Sequence, residues 1–242
     1  MLILGIETTG PRGSCALSDD GKITIRSTDE IMGQLKNIDP MIAGLMAESG
    51  RGMKEIEAVA VSVGPGSFTG IRIGVTTART IAQALNIPCV PVHSLEAFRE
   101  LASEKQKVAV IFNARRGQVY GALYDNDGSD IVKPGPYMLT DIKEAAANLS
   151  DAVWYGDGTD AYRDELKGAV IAPESERLQS AERVLRLGEK LYRQGRTVNY
   201  EDLLPDYMRK SEAEQKLEDG TLERLRREKL ARFRGSGHFG RE

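Results

Sequence analysis

A short polar turn near the amino terminus places a carboxylate beside two hydroxyls. Glu7, Thr8 and Thr9 follow the first apolar run of the chain. Carboxylate and hydroxyl oxygens can hold a metal ion and, through it, the phosphates of a nucleotide. The turn could therefore face ATP, although an exposed structural turn would use the same residue types.

A second candidate is the glycine-rich loop at residues 64–70. Its marked positions are Gly64, Gly66, Ser67, Phe68, Thr69 and Gly70. The loop joins a predicted buried strand at 57–63 to a predicted helix at 71–86, where α/β folds bring ligands close to the backbone. It has no lysine, and its spacing fits neither GxxxxGK[ST] nor GxGxxG. Glycines that allow a tight turn explain the pattern as well, so we favour a structural turn over a phosphate-binding loop.

Small side chains recur every four residues along the predicted helix at 71–86, at Gly74, Ala78 and Ala82. Larger apolar residues form a second stripe, about 100° away around the same helix. A helix that covers a sheet needs only one such face. The second face therefore indicates contact with another helix, either one predicted at 40–49 or a helix of a partner protein.

The sequence shows neither the histidine pairs of a metal site nor the surroundings of a serine nucleophile. The two histidines, His93 and His238, are far apart in the chain, and neither belongs to an HxxxH or HExxH pattern. Ser67 lacks the GxSxG surroundings of a nucleophile elbow and has no evident general base. We therefore predict no catalytic residue and no metal ligand in this chain.

Composition is that of an ordinary globular protein, with 40% hydrophobic and 29% charged residues among 242. No apolar run approaches the ~20 residues of a membrane helix, and the amino terminus lacks the basic start and cleavage site of a signal peptide. Cys15 and Cys89 stand singly in apolar runs, as in proteins of reducing compartments. We expect a cytoplasmic protein without membrane contact. The net charge of −3 gives no global reason to expect nucleic-acid binding.

The predicted elements describe two similar halves. Strand-like runs at 1–7, 14–20 and 22–28 precede a helix expected to begin at Asp39-Pro40. The pattern of apolar strand, polar turn ending in glycine and second strand begins again over 107–128. Two such hairpins indicate a duplicated fold, although short hairpins also resemble each other by chance.

The second half offers fewer and shorter elements, ending with a helix expected from Ser180. We divide the chain into an amino-terminal lobe at 1–104, a smaller carboxyl-terminal lobe at 105–211 and a charged tail at 212–242. Leucines at helical spacing within 222–233 predict a peripheral helix or a frayed end in that tail.

Several strings taken in order identify a known family. They are GIETT, VSVGPGSFTGIRIGVTTARTIAQALNIP, VHSLEA, NARRGQVY and PDYMR. With them the chain resembles the TsaB family, also called YeaZ, over about residues 1–210. The family is related to the actin, Hsp70 and sugar-kinase superfamily, so the resemblance implies the ASKHA (RNase H-like) α/β fold of two duplicated lobes, here with the second lobe reduced.

The resemblance also implies a function and partners. The chain would be a non-catalytic subunit needed to form the threonylcarbamoyl group on N6 of adenosine 37 in tRNAs that read codons beginning with A. It would bind and stabilise a TsaD-like catalytic subunit, a TsaE-like ATPase would join the pair, and tRNA would be reached through the complex. Alone, the chain would form a homodimer. It would require no cofactor itself, because ATP and metal would belong to the partner subunits.

The partner interface that the resemblance implies lies on the helices at about 38–49 and 71–86. Carried over by position, its residues would be Met41, Ile42, Leu45, Met46, Ile71, Gly74, Val75, Ala78, Arg79 and Ala82. The last of these include the stripe of small side chains described above.

Two departures from the superfamily concern nucleotide chemistry. Its first hairpin usually begins with Asp, where this chain has Glu7, and its second-lobe hairpin usually reads Asp-Ala-Arg, where this chain begins with Asn113. The candidate nucleotide-facing residues are thus Glu7, Thr8, Thr9, Asn113 and Arg115. Asn113 removes one of the two usual acids, and Glu7 is one methylene longer than the usual Asp. Both changes weaken the case for magnesium-assisted ATP hydrolysis. The alternative remains that the chain is an ATPase or kinase that acts alone and holds ATP between these two hairpins.

Overall fold

Two five-stranded mixed sheets form the framework of this computed structural model. The structure describes residues 1–28, 30, 33–149, 151–209, 217, 220, 221, 223, 224 and 226–228. Residues Met1–Met208 form one compact unit and Arg209–Glu242 a second. The helix predicted within 222–233 lies largely outside the described residues.

The first sheet has the strand order β3-β2-β1-β4-β5. Its strands are β1 (Leu2–Glu7), β2 (Ser14–Asp19), β3 (Lys22–Ser27), β4 (Ala58–Gly64) and β5 (Cys89–His93). The first three pair antiparallel, whereas β4 and β5 run parallel to β1. Every residue of β1 and β4 is buried, because helices cover both faces of the sheet.

The second sheet repeats this order as β8-β7-β6-β9-β10. Its strands are β6 (Lys107–Asn113), β7 (Gln118–Tyr124), β8 (Asp130–Met138), β9 (Ala152–Tyr155) and β10 (Val170–Ile171). Strands β6, β7 and β8 pair antiparallel, as the first three strands of the first sheet do, and β9 and β10 run parallel to β6. The predicted duplicated two-lobe α/β fold is therefore confirmed, and the two-residue β10 shows how far the second lobe is reduced.

The helices lie between and around these sheets. They are α1 (Gln34–Ser49), α2 (Phe68–Leu85), α3 (Leu139–Ala146), α4 (Gly158–Ala161), α5 (Glu174–Arg177) and α6 (Ala181–Arg193), with 3₁₀ turns at Met53–Glu55 and Glu96–Leu101. Among the described residues, no helix combines the length and the apolar composition needed to cross a membrane.

Helices α1 and α2 cover one face of the first sheet, and α6 covers the other. Ser180 caps α6 as expected, since its side chain accepts a hydrogen bond from the N–H of Arg183. Although α6 comes from the second half of the chain, Val184 and Leu185 are fully buried against β1 and β4. The lobe boundaries set out above stay a prediction, but the chain clearly returns to its first sheet after completing the second.

The expected start of α1 at Asp39-Pro40 is wrong. The helix begins at Gln34, and Pro40 lies inside it. Ile38 is 2% exposed and extends the apolar face of the helix by one turn toward its amino terminus. Burial of that side chain offsets the backbone hydrogen bond that a proline cannot donate.

Two helical glycines give a matched test of how closely α6 lies on the sheet. A methyl group at Gly188 would come within 2.5 Å of the Ala60 side chain, which has no room to move. A methyl group at Gly44 in α1 would meet only the flexible guanidinium of Arg26. We expect Gly188→Ala to lower the free energy of unfolding by about 1–2 kcal/mol despite the better helix propensity of alanine.

Urea unfolding followed by circular dichroism measures this change. Gly44→Ala should leave stability unchanged or raise it by up to about 1 kcal/mol. Equal stability of Gly188→Ala and the wild type would show that α6 does not contact β4 as described.

Candidate functional site

The carboxylate of Glu7 lies at the carboxyl end of β1 with only 1% of the residue exposed. Its Oε1 accepts a hydrogen bond from the backbone N–H of Thr9 at 2.5 Å and another from the Thr9 hydroxyl at 2.6 Å. Ser62 and the backbone of Gly10 also hydrogen-bond to the carboxylate. Burial raises the pKa of Glu7 above its ordinary value, and the hydrogen bonds act in the opposite direction.

Two buried serines complete this polar cluster. The Oγ atoms of Ser62, in β4, and Ser94, directly after β5, lie 2.7 Å apart. The Ser94 Oγ is also 3.4 Å from the hydroxyl of Thr9. Because β1, β4 and β5 are parallel, their carboxyl ends meet at one edge of the sheet, and a carboxylate and three hydroxyls converge there.

The glycine-rich loop closes over the Glu7 turn. The N–H of Ser67 donates to the carbonyl of Thr9 at 2.8 Å, and the hydroxyl of Thr8 donates to the carbonyl of Gly70 at 2.7 Å. A methyl group at Gly66 would come within 2.6 Å of the Thr9 carbonyl oxygen, and one at Gly70 would collide with that of Thr8. Glycine is therefore required where the two backbones touch.

The rest of the loop starts α2. The Oγ of Ser67 accepts the N–H of Gly70 at 3.2 Å and so caps the helix, which begins at Phe68 rather than at the expected Ile71. Gly64 has a φ of 122°, a conformation that other residues rarely adopt. These roles are structural, and they leave Thr8 and Thr9 only 1% and 2% exposed beneath the loop.

The second hairpin presents a different surface. Asn113 and Arg115 are exposed at the turn between β6 and β7. The side-chain oxygen of Asn113 accepts the N–H of Arg115 at 2.8 Å and the hydroxyl of Tyr162 at 3.3 Å. Arg115, Arg116 and Gly117 all have positive φ. The asparagine thus organises the turn, a role that a short polar side chain performs well.

Two side chains absent from the sequence-based set connect the hairpins. The carboxylate of Asp157, after β9, accepts hydrogen bonds from the side-chain amide of Gln179 at 3.3 Å and from the backbone of Asn113. The Gln179 carboxamide lies against Gly10 of the first hairpin. Burial raises the pKa of Asp157 to about 6, although the hydrogen bonds from Gln179 and Asn113 lower it.

Most residues expected at a partner interface face the chain's own sheet. Buried among the ten are Met41, Ile42, Leu45, Met46, Ile71, Gly74, Val75, Ala78 and Ala82, and Arg79 is partly exposed. The stripe of small side chains lies inside the first lobe, because Gly74 lies against Thr8 and against Val61 of β4. Partner binding by other residues of these two helices stays a prediction.

The side chains that could bind a metal are dispersed. No group of three or more His, Cys, Asp or Glu residues suited to a metal ion occurs in the described part of the chain. His93 is mostly buried at the end of β5, where its Nε2 lies 3.7 Å from a carboxylate oxygen of Asp206 and burial lowers its pKa. His238 lies outside the described residues.

Several known proteins are similar to this chain in sequence and in fold. The family model described as "TsaD: tRNA N6-adenosine threonylcarbamoyltransferase" matches residues 34–217. The tRNA threonylcarbamoyladenosine biosynthesis protein TsaB of Escherichia coli (strain K12) is 31% identical over 227 residues, which cover 90% of this chain and 98% of that protein. The TsaB protein of Bacillus subtilis (strain 168) is 30% identical, with 89% and 97% covered.

The chain belongs to the TsaB (YeaZ) family. A solved structure of YeaZ from Pseudomonas aeruginosa agrees, with a TM-score of 0.71 at 25% identity over 85% of this chain and 99% of that one. A second structure, of a protein described as similar to peptidase YEAZ, gives a TM-score of 0.73 at 26% identity, with 86% and 99% covered. The family resemblance predicted from the glycine-rich segment is confirmed.

In this TsaB-family chain the partly buried Asp157 makes stability depend on pH. Its pKa rises from an ordinary 3.8 to about 6 on folding, so between these values the folded chain holds more protons than the unfolded chain. The free energy of unfolding therefore falls as pH rises through this window. Asp157→Asn has no proton to lose, and we expect it to gain about 2 kcal/mol relative to the wild type between pH 4 and pH 7.

Urea unfolding at pH 4, 5, 6 and 7 checks this difference. Asp160→Asn is the control of opposite sign: partial burial raises the pKa of Asp160, but Arg177 and Arg163 lower it below the ordinary value. That variant should lose stability relative to the wild type as pH rises from the acid range. Parallel profiles for Asp157→Asn and the wild type would show that the pKa of Asp157 is not raised between the hairpins.

Proposed function

We propose that this chain takes part in threonylcarbamoyladenosine formation on tRNA as a non-catalytic subunit that binds and stabilises a TsaD-like catalytic protein. The relatives carry threonylcarbamoyladenosine biosynthesis in their names, and a TsaD-type domain spans most of the chain. The observation that carries the non-catalytic part is the closure of the loop at residues 64–70 over the Glu7 turn.

A carboxylate serves a metal ion or a phosphate-bound water only if those species can reach it. Glu7 is enclosed by the N–H and hydroxyl of Thr9, by Ser62 and by the loop backbone. The exposed hairpin offers Asn113, a neutral side chain that its own turn already engages. An ATPase or kinase that acts alone would need an accessible acid at one of these hairpins, and neither Glu7 nor Asn113 provides it.

The outer faces of α1 and α2 are the surfaces that remain for a partner. Exposed positions on these faces include Ala43 and Ala47 on α1 and Thr76 and Thr80 on α2. Such short side chains allow another helix to approach closely. The two helices pack on the same core cluster and contact each other, so their outer faces lie side by side.

The remaining assignments belong to the same proposal. A TsaE-like ATPase joins the pair, tRNA is bound through the complex, and the chain forms a homodimer when its partner is missing. ATP and metal belong to the partner subunits, this chain requires no cofactor, and the complex works in the cytoplasm.

Reconstitution tests the proposal. The chain alone should show no magnesium-dependent ATP binding by calorimetry and no ATP hydrolysis, but should restore threonylcarbamoyl transfer to tRNA when mixed with the TsaD-like and TsaE-like proteins. Thr76→Arg should abolish both binding and transfer, because a long charged side chain would hold the helices apart.

Thr140→Arg, at an exposed position on α3, is the matched control and should behave as the wild type. Tight ATP binding by the chain alone that is lost on Glu7→Ala would favour the independent enzyme instead. Transfer that proceeds equally well without this chain would contradict its role as a required subunit.

A further inference from the structure

Three side chains form an exposed stack where α2 begins. The rings of Phe68 and Tyr207 are stacked with centroids 4.5 Å apart and an interplanar angle of 27°. The guanidinium carbon of Arg72 lies 4.1 Å from the centroid of the Phe68 ring, and the Arg72 Nε donates a hydrogen bond to the Tyr207 hydroxyl at 3.0 Å. Tyr207 is 38% exposed and Arg72 is exposed, so the stack stands at the surface.

The backbone holds Tyr207 in place. Leu203, four residues earlier, is completely buried in the core beneath α2. The N–H of Asp206 donates to the carbonyl of Val63 at 2.8 Å, and the Asp206 carbonyl lies so close to Gly64 that no side chain would fit there. Tyr207 is thus fixed beside Phe68 by the segment that crosses the end of β4.

The two terminal nitrogens of the Arg72 guanidinium remain available for a ligand. Its Nε is occupied by Tyr207, and the Phe68 ring fixes the plane of the guanidinium. No carboxylate among the described residues forms an ion pair with Arg72, whereas Arg51, Arg99 and Arg177 each pair with at least one carboxylate. An arginine fixed in this way presents two parallel N–H donors that match a carboxylate, at a lower entropic cost than a free side chain would incur.

We propose that the Phe68–Arg72–Tyr207 stack is a docking point for an Asp or Glu side chain of the protein that binds the outer face of α2. Arg72 and Thr76 are one helical turn apart, so the stack continues the surface assigned to that partner. Tyr207 and the 65% exposed Leu204 supply apolar area beside the ion pair. Aromatic residues and arginine dominate the binding energy of protein interfaces. This inference rests on the proposed function only in requiring a protein partner there.

The charges around the stack favour a protein over RNA. Glu201, Asp202 and Asp206 are all exposed in the segment that carries Tyr207. Three carboxylates deny this segment the accumulated positive charge on which binding of a continuous phosphate backbone depends. A single carboxylate of a protein partner needs only one cation, and Arg72 supplies it.

Affinity measurements with the TsaD-like subunit test this assignment. Arg72→Gln should weaken binding by about 30-fold, as for an interface hot spot. Arg72→Lys keeps the charge but loses the planar fork, and its affinity should fall between that of Arg72→Gln and that of the wild type. The affinity of the wild type should fall more steeply with salt than that of Arg72→Gln. Arg186→Gln, on α6 across the sheet, should bind as the wild type does.

Each outcome decides the assignment. Thermal unfolding confirms that the variants are folded, as expected for an exposed side chain. Wild-type affinity in Arg72→Gln would overturn the docking point and leave the proposed function standing. Loss of binding to total tRNA in Arg72→Gln with unchanged protein binding would assign the stack to RNA and overturn it too. Failure of the wild type to bind the TsaD-like subunit would overturn the proposed function, and the docking point with it.

Discussion

The backbone contact between the Glu7 turn and the glycine-rich loop is the constraint on which the rest of the first lobe depends. Burying a carboxylate is costly unless hydrogen bonds replace the lost water. Thr9, Ser62 and the backbone of Gly10 supply those bonds, and Ser94 hydrogen-bonds to Ser62 in turn. The glycine-rich loop lies directly on this turn, and that proximity excludes any side chain at Gly66 and Gly70.

The same contact positions α2 and, through it, the aromatic pair of Phe68 and Tyr207. Because Ser67 is tied to Thr9, the first turn of α2 has a fixed place above the sheet. The small residues of α2 then lie against β1 and β4, which is why that stripe is internal. The segment at 203–207 crosses Gly64 and brings Tyr207 onto Phe68. The turn supports the start of α2, whose outer face exposes Thr76 and Thr80.

Local patterns predict the strands of the first lobe better than the starts of its helices, because the strands carry undisturbed apolar runs. The three opening strands and the repeat of their pattern after residue 107 both match the structure. Strand β8 was not foreseen, since Pro134, Gly135 and Pro136 interrupt its signal and its pairing with β7 is irregular. Proline and glycine are depleted from strands, so only the tertiary pairing reveals this one.

Periodicity also located the small stripe on α2 without revealing which way it faced. Both stripes of that helix are apolar or small, and only the sheet beneath decides which one is buried. The partnerships of Ser62 with Ser94 and of Asp157 with Gln179 join residues 32 and 22 positions apart. No spacing in the sequence connects such pairs, so the polar interior of the site could not be predicted from motifs.

We propose that Glu7 supports the structure of the first lobe and takes no part in chemistry. Glu7→Gln keeps an acceptor for Thr9 while removing the negative charge that a metal ion or proton transfer would need. The decisive measurement is the rate of threonylcarbamoyl transfer to tRNA when the TsaD-like and TsaE-like proteins are combined with this variant. The account predicts a rate within about twofold of the wild type. A loss of 100-fold or more, with folding and partner binding intact, would contradict it.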